Sequence, residues 1–402
     1  MKKLLAFGAL VSALAPFAPL PSAYAKIGSC SEPILLGTTI SETGPFSGPT
    51  GGWRQMTDIF FEELNKTGGV FVKACNAKVP VKIVTYDDQS NPSTAVSLFE
   101  KMASVDNVDF FVGPDWTSMG LAVPTVAERH KIPMVMANVA TPAAYQRGLK
   151  YIWGTPYPTV TLWSERYFEM LKSVDPKPKT IFFVTHDNPV MKGITDFWAP
   201  KAEADGLKIV GREVFPSDTK DFSSIILKIR AAKPDIIYIS SFDFVSGPLL
   251  QQMRQQRVRA LDVHHIMLSG ALARQVGSDL EGVTGELAWW PYLKGEYSDF
   301  VITVLERSKV NMFENIYTMG RLTAYLVMMQ AIERAGEIDR EKVRDVLTNG
   351  EFKAPPGPVI FDATGFPKSN GAYTIQMQNG KVNVVWPSSA GKVIWPSPSW
   401  QQ

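Results

Sequence analysis

The chain has 402 residues, of which 45% are hydrophobic and 20% are charged, a composition and length suited to about two folded domains. Its 41 Lys and Arg residues nearly balance its 39 Asp and Glu residues. Nucleic acids and anionic membrane surfaces are bound by basic stripes, so this balance argues against both as partners. Four histidines and two cysteines form no cluster in the sequence, so we expect neither a metal site nor a cofactor.

The first 25 residues have the pattern of a secretory signal peptide. Lys2 and Lys3 form a basic start, residues 4–20 an apolar stretch broken by prolines, and residues 23–25 a small-residue cleavage site. A transmembrane anchor is the alternative, but the apolar stretch is short for a bilayer span. We therefore expect a periplasmic protein whose mature chain begins after Ala25.

Export permits a disulfide between Cys30 and Cys75. Each cysteine lies shortly before an apolar run, "PILLGTTI" for the first and "VPVKIVTY" for the second. If those runs are neighbouring parallel strands, both cysteines lie at the same end of the sheet, within bridging reach. Lipid attachment at Cys30 is the alternative, and Lys26 together with the distance from the apolar stretch argues against it.

From residue 34 onward, short β-branched runs alternate with helical stretches, which is the pattern of βαβ units in parallel sheets. One series runs from "PILLGTTI" to "IPMVMAN" and a second from "KTIFFVTHD" to "HHIMLSG". In the first series we predict one helix from Trp53 to Lys66 and another from about Ser118 to His130. This alternation of strands and helices is interrupted at "YIWGTPYP", "GELAWWPY" and "FKAPPGP". We therefore predict an α/β fold with two doubly wound parallel-sheet lobes joined by three crossovers. Lobe 1 would comprise residues 26–153 and 289–353, and lobe 2 residues 154–288 and 354–402.

The glycine-rich stretch "TTISETGPFSGPTGGW" follows the first predicted strand and raises the question of catalysis. It lacks the Gly-Lys-Ser/Thr of a phosphate-binding P-loop, the G-x-G-x-x-G spacing of a dinucleotide loop and the flanks of a nucleophile elbow around Ser47. His264 and His265 point to opposite faces of a strand and cannot share a metal ion. Asp87 and Asp88 suit loop capping better than acid–base chemistry.

The carboxyl ends of the predicted strands hold hydroxyl groups, glycine N–H groups and a few aromatic rings. In open α/β sheets, ligands bind beyond these ends. Such groups suit hydrogen bonds to a small polar head, notably a carboxylate. They include no evident base beside a nucleophile, so we expect a binding protein and no enzyme.

Eight motifs in order resemble the periplasmic solute-binding proteins of ABC transporters, specifically the branched-chain amino-acid-binding (type I) family. They are "GPFSGPTGGW", "ELNKTGGV", "IVTYDDQSNPSTAV", "FFVGPDWTS", "IPMVMANVATPAA", "DFSSIILKIRAAKPDIIY", "LEGVTGE" and "PGPVIFDATGF". The resemblance implies a two-lobe clamshell that closes on a small ligand and delivers it to membrane permease subunits. It implies a monomer without a cofactor.

Carried over by motif, the resemblance places Trp53 as the aromatic wall of the ligand site in lobe 1, with helix-start packing as the alternative. Thr117, with Ser118 beside it, corresponds to the hydroxyl that receives the ligand carboxylate; a plain helix cap is the alternative. Asn138 to Thr141 corresponds to a segment that gives a carbonyl, an amide and a threonine hydroxyl. The register leaves either Ala140 or Thr141 at the position of that threonine.

The second lobe departs from the amino-acid pattern. The acid that would meet an α-ammonium group falls on Ser269 or Gly270, and a second acid falls near Thr159. The position of a family aromatic ring falls near Val190, close to His186 and Asp187, and the position of a family tyrosine is Phe242.

An unpaired ammonium group in a closed cleft is costly, so the loss of both acids argues against an α-amino acid as the ligand. Asp243 weakens the argument, because it could serve as a substitute acid or lie elsewhere between the lobes.

The hypothesis from sequence is therefore an ABC-transporter substrate-binding protein for a small carboxylate with an apolar or aromatic body. Binding of a branched-chain or other amino acid, binding of an amide-type ligand, and periplasmic sensing are the alternatives. Trp289, Trp290 and Tyr292 either line the mouth of the cleft or pack the crossover.

Overall fold

A computed structural model of the protein describes residues 28–155, 159–291, 293–368 and 371–401. The predicted signal peptide, residues 1–25, lies outside the described residues, as does Tyr292. None of the described helices has the length and apolar content needed to cross a bilayer.

The first part of the chain forms a five-stranded parallel sheet with strand order β4-β1-β5-β6-β7 and a separate β2–β3 hairpin. A single helix was expected over about residues 118–130. Two are found, because Pro124 has no N–H for the helical hydrogen bond. The elements are β1 (Ile34–Ile40), α1 (Trp53–Lys66), β2 (Val70–Val72), β3 (Ala77–Val79), β4 (Val81–Asp87), α2 (Pro92–Ser104), β5 (Phe110–Val112), α3 (Thr117–Ala122), α4 (Pro124–His130), β6 (Met134–Met136) and β7 (Ile152–Gly154).

The second part repeats the βα rhythm around a seven-stranded sheet with order β16-β15-β12-β11-β10-β8-β9. Its central strands are parallel and fully buried, as their continuous apolar runs predict. The elements are α5 (Glu165–Leu171), β8 (Thr180–His186), α6 (Pro189–Ala204), β9 (Lys208–Phe215), α7 (Ser223–Ala232), β10 (Ile236–Ser240), α8 (Gly247–Gln255), β11 (Asp262–His265), α9 (Gly270–Val276) and β12 (Thr284–Leu287).

The last part of the chain returns to the first sheet and then to the second. Helices α10 (Ser298–Ser308), α11 (Thr318–Ala335) and α12 (Arg340–Asn349) pack with the five-stranded sheet and its helices. Strands β13 (Glu351–Ala354) and β14 (Gly357–Ile360) form a separate two-stranded antiparallel sheet. The hairpin β15 (Tyr373–Gln378) and β16 (Lys381–Trp386) adds to β12 in antiparallel fashion, so the second sheet is mixed.

The predicted disulfide is confirmed. Cys30 and Cys75 are bridged, with their Cα atoms 5.5 Å apart. Strands β1 and β4 are neighbours in parallel register, with Ile34 opposite Val81. Each cysteine lies a few residues before one of these strands, which brings both to the same end of the sheet.

We refer to the part of the molecule built on the five-stranded sheet as lobe 1 and to the part built on the seven-stranded sheet as lobe 2. The residue boundaries given above for the lobes stay a prediction.

A cluster of titratable side chains lies in the core of lobe 2. Tyr167 donates to the Asp262 carboxyl at 2.8 Å, and Thr284 donates to it at 2.6 Å. Burial raises the pKa of Asp262 from 3.8 to about 7. The pKa of Glu286, which lies 3.4 Å from His264, is also raised by burial, and that of His264 is lowered. Folding therefore favours the protonated acids and the neutral imidazole.

The Asp262 shift predicts a pH dependence of stability. A carboxyl whose folded pKa is raised binds its proton more tightly when folded, so its stabilising contribution is complete below pH 4 and is lost as the pH rises to about 7. Between these pH values the titration of Asp262 should lower the free energy of unfolding by about 1.4 kcal/mol per pH unit. Asp262→Asn removes the titrating group, so the variant should lack this part of the decline. Urea unfolding at pH 4 to 8 measures the slope. An unchanged slope would show that Asp262 does not titrate there.

Candidate ligand-binding site

A cavity of about 470 Å³ lies between the carboxyl ends of the two sheets. Its lobe 1 wall comes from the segments after β1, β5 and β6 and from the start of α11. Its lobe 2 wall comes from the segment before α5 and from those after β8, β9, β10 and β11. The volume is in the range of pockets that enclose a small organic ligand.

Six aromatic rings line the cavity: those of Phe46, Trp116, Trp163, Phe242, Phe244 and Tyr317. Trp116 is central among them, because it stacks on Phe46 with ring centroids 4.6 Å apart and meets Tyr317 edge-on at 4.9 Å. Its backbone has φ 68°, a left-handed conformation that is costly for a bulky residue. The surrounding contacts therefore hold this ring in place at the cavity wall.

The polar part of the lining is uncharged at neutral pH. Its side chains are those of Thr117, Ser118, Asn138, His186, Asn188 and Ser217. None of the described lining residues is Lys, Arg, Asp or Glu. Burial lowers the pKa of His186, and Asp187 offsets this only in part, so the imidazole is neutral at neutral pH.

Seven of the residues predicted from sequence line this cavity: Thr117, Ser118, Asn138, Ala140, His186, Val190 and Phe242. Five others do not: Trp53, Thr141, Asp243, Ser269 and Gly270. Sequence reasoning missed the remaining rings and Ser217. Trp116 stands directly before the predicted Thr117 in "GPDWTS", so its position was a usable signal. Tyr317 and Trp163 stand before helices, and the sequence around them contains no signal that they line the cavity.

Trp53 lies behind the cavity wall, and the tryptophan that lines the cavity from this side is Trp116. Trp53 is fully buried and stacks on Trp116 at a centroid distance of 6.2 Å. Its indole Nε1 donates to Thr318 Oγ1 at 3.0 Å, which fixes it against helix α11. The alternative of helix-start packing therefore describes its contacts.

Ser269 and Gly270, which follow β11, do not line the cavity, although Met267 just before them does. Ser269 caps α9 by accepting from the Leu272 N–H, and it donates to Asp243 Oδ2 at 2.5 Å. Gly270 donates its N–H to the Phe313 carbonyl at 2.7 Å. A Cβ at Gly270 would lie 2.4 Å from the Glu314 carboxyl carbon, so a larger residue there would require the Glu314 side chain to move.

His186 and Ser217 form the only Ser–His contact among the described lining residues. Ser217 Oγ lies 2.6 Å from His186 Nε2. His186 Nδ1 is buried and has no hydrogen-bond partner, so no third group orients the imidazole as a catalytic base. The pair suits hydrogen bonding to a ligand and lacks the arrangement of a hydrolytic triad.

A buried ion pair supports the lobe 1 wall from below. Arg321 on α11 is 1% exposed and pairs with Asp115, which is 3% exposed. The guanidinium also donates to the Thr39 carbonyl at 2.5 Å and lies 5.1 Å from the Trp53 ring centroid. Asp115 accepts from Asn138 Nδ2 at 2.8 Å. Helix α11, the end of β1 and the loops after β5 and β6 are thereby joined at one point.

Comparisons with known proteins agree with this architecture. The family model for periplasmic binding proteins matches residues 33–381. The leucine-, isoleucine-, valine-, threonine- and alanine-binding protein of Pseudomonas aeruginosa is 26% identical over 354 residues, which cover 81% of this chain and 86% of that protein.

Two solved structures share the fold. A putative branched-chain amino acid ABC transporter protein from Silicibacter pomeroyi has a TM-score of 0.78 at 18% identity and covers 92% of this chain and 100% of its own. A solute-binding protein of an ABC transporter from R. palustris, in complex with benzoate, has a TM-score of 0.69 at 16% identity over 92% and 98% of the two chains.

The chain belongs to the periplasmic binding protein family and is a substrate-binding protein of the branched-chain amino acid ABC transporter type. Its fold is the two-lobe type I clamshell expected from the sequence. Within the described ranges, no group of three His, Cys, Asp or Glu side chains is placed to hold a metal ion.

The ion pair predicts a double-mutant result. Arg321→Met leaves the buried Asp115 carboxylate without its partner and should lower the unfolding free energy by about 3–5 kcal/mol. Adding Asp115→Asn removes the orphaned charge and should restore part of that loss. Urea unfolding of the two single variants and the double variant measures the coupling.

Arg129→Met is the matched control, because Arg129 pairs with Glu100 on the surface and is 60% exposed. It should change stability by less than about 1 kcal/mol. Equal effects at Arg321 and Arg129 would contradict the structural role of the buried pair.

Proposed function

We propose that the protein binds a small carboxylate with an apolar or aromatic body between its lobes and delivers it to the permease of an ABC transporter. The observation that carries this proposal is the lining of the cavity: six aromatic rings and neutral polar groups, with no Lys, Arg, Asp or Glu among the described lining residues.

The carboxylate end is assigned to the start of α3. Thr117 Oγ1 accepts from the Ala140 N–H at 3.4 Å, which leaves its own hydroxyl proton for a ligand. Ser118 offers a second hydroxyl, now directed at the Met119 sulfur, a weak acceptor. Trp116 Nε1 is a buried donor without a hydrogen-bond partner. Three donors on consecutive residues suit the two oxygens of one carboxylate.

An α-ammonium group has no counterpart in this lining. Asp243 lies nearby but does not line the cavity; burial raises its pKa, and its Oδ2 accepts from Ser269. Placing an ammonium group among aromatic rings and neutral polar groups without a carboxylate would cost several kcal/mol. The uncharged lining therefore supports an acid that lacks the amino group. The benzoate bound by the R. palustris protein is such an acid.

The second candidate ligand is a branched-chain amino acid, which the name of the Pseudomonas relative favours. It would require Asp243 to leave Ser269 and turn toward the cavity. Asp243 would then be ionised beside the ammonium group of the ligand. The closed cleft would thus enclose an ion pair between Asp243 and an amino acid, but no such pair with an acid that lacks the amino group.

Closure of the lobes would enclose the ligand. The loop before α11 in lobe 1 already contacts lobe 2: Tyr317 lies 3.2 Å from the Met267 sulfur, and Arg274 on α9 pairs with Glu314. Ligand contacts to both walls would favour this closed state over an open one. A permease that recognises the closed form would then select loaded protein.

A thermal-shift screen tests the ligand class. Benzoate, phenylalkanoates, fatty acids, dicarboxylates, amides and α-amino acids would be compared. A ligand at about a hundred times its Kd should stabilise the protein by about 2.7 kcal/mol. Stabilisation by amino acids alone would overturn the proposal, and recovery of the bound compound unchanged is expected of a binding protein.

Thr117→Val should weaken binding of the best carboxylate about 10- to 100-fold, because it removes a hydrogen bond to a charged group. Isothermal titration measures the change. Thr348→Val on the exposed face of α12 is the matched control and should leave the affinity as it is. Equal affinities for Thr117→Val and the unsubstituted protein would remove Thr117 from the site.

A further inference from the structure

His186 lines the lobe 2 wall of the cavity and carries a buried ring nitrogen without a hydrogen-bond partner. The residue ends strand β8 and is 3% exposed. Its Nε2 is bonded to Ser217, while its Nδ1 has no hydrogen-bond partner. The Phe215 and Phe242 rings flank the imidazole, each with a centroid distance of 5.7 Å. Leaving a buried polar atom unpaired destabilises the protein, so a ligand that formed a hydrogen bond to Nδ1 would recover this cost.

We infer that the ligand carries a hydroxyl group remote from its carboxylate and that His186 and Ser217 bind this hydroxyl. This inference rests on the proposed function, which places the carboxylate at Thr117 in the opposite lobe. The ligand class is thereby narrowed from aromatic acids in general to hydroxylated ones.

A hydroxyl group fits His186 whichever ring nitrogen bears the proton. If Nε2–H donates to Ser217, Nδ1 bears no proton and accepts a hydrogen bond from the hydroxyl group of the ligand. If Ser217 donates to Nε2, Nδ1–H donates to the hydroxyl oxygen. An ether or a carboxylate would satisfy only the second arrangement, and a methyl group or a halogen would satisfy neither.

A second carboxylate is poorly served at this wall, although helix α6 begins nearby. Pro189 has no N–H, and the Val190 N–H already donates to Asn188 Oδ1 at 2.9 Å. The Asn188 N–H donates to the His186 carbonyl at 2.7 Å. No Lys or Arg is present among the described lining residues. A second negative charge would therefore lose its water shell without a compensating partner.

Matched acids test the inference. Benzoate and 3-phenylpropionate would each be compared with their 3-hydroxy and 4-hydroxy ring derivatives and with their fluoro analogues by isothermal titration. In at least one series, the better hydroxy isomer should bind at least about tenfold more tightly than the parent and fluoro acids, because only the hydroxyl pairs Nδ1.

Variants assign the preference to His186. His186→Phe should reduce the ratio of the two affinities, hydroxy acid over parent acid, to about one. Ser217→Ala, at an exposed position that does not threaten folding, should lower the same ratio. His130→Phe is the control, because His130 lies on α4 and contacts Glu100, so the ratio should persist.

The outcomes separate the two proposals. If parent and hydroxy acids bind the unsubstituted protein equally well, the hydroxyl inference is overturned while the proposed function stands. A ratio that persists in both His186→Phe and Ser217→Ala also overturns it. If none of these acids binds, the proposed function fails together with the inference.

Discussion

The buried contact between Arg321 and Asp115 is the constraint on which the lobe 1 half of the site depends. A guanidinium group without access to water must find partners for its protons, and here they come from β1, the loop after β5 and α11 itself. Arg321 fixes the Asp115 carboxylate, which in turn accepts a hydrogen bond from the Asn138 amide and fixes its position. Trp53 lies over the guanidinium, and Trp116 lies over Trp53. The position of the central aromatic ring in the cavity thus follows from a charge pair that does not line the cavity.

Elsewhere around the cavity, charge is also held away from the ligand. Asp243 is turned toward Ser269, and Glu314 is paired with Arg274 across the lobes. What remains at the wall are rings, hydroxyl groups, an amide and a neutral imidazole. Selectivity in such a site comes from the cost of leaving a ligand charge or a protein polar atom unpaired. In the proposed function, that cost opposes an ammonium group in the ligand, and in the further inference it favours a hydroxyl group near His186.

Much of the fold was predictable, because periodicity and strand-end chemistry are local properties of the chain. Helix α1 begins at Trp53 and ends at Lys66 as expected, and the disulfide follows from the pairing of β1 with β4. The prediction of one continuous helix over residues 118–130 was wrong. The chain forms two helices there, because Pro124 lacks the N–H that would continue the first.

The candidate site was predictable in its location and only partly in its members. His186 ends strand β8 and Thr117 lies in the segment that follows β5, so sequence order places both at the carboxyl edge of a sheet. Whether a side chain faces the cavity depends on tertiary contacts. This is why Trp53 was expected to line the site, whereas Trp116 lines the cavity and Trp53 packs behind it. Tyr317 reaches the cavity from a helix start some two hundred residues along the chain from Trp116, a proximity that only the assembled lobes create.

The central claim is that the closed cleft accepts a carboxylate and rejects an α-ammonium group. The most direct test is isothermal titration with two pairs of compounds that differ only in that group: 3-phenylpropionate against phenylalanine, and 4-methylpentanoate against leucine. The account predicts that the acid binds more tightly than its amino acid in each pair that binds. Tighter binding of leucine than of 4-methylpentanoate, or of phenylalanine than of 3-phenylpropionate, would contradict it.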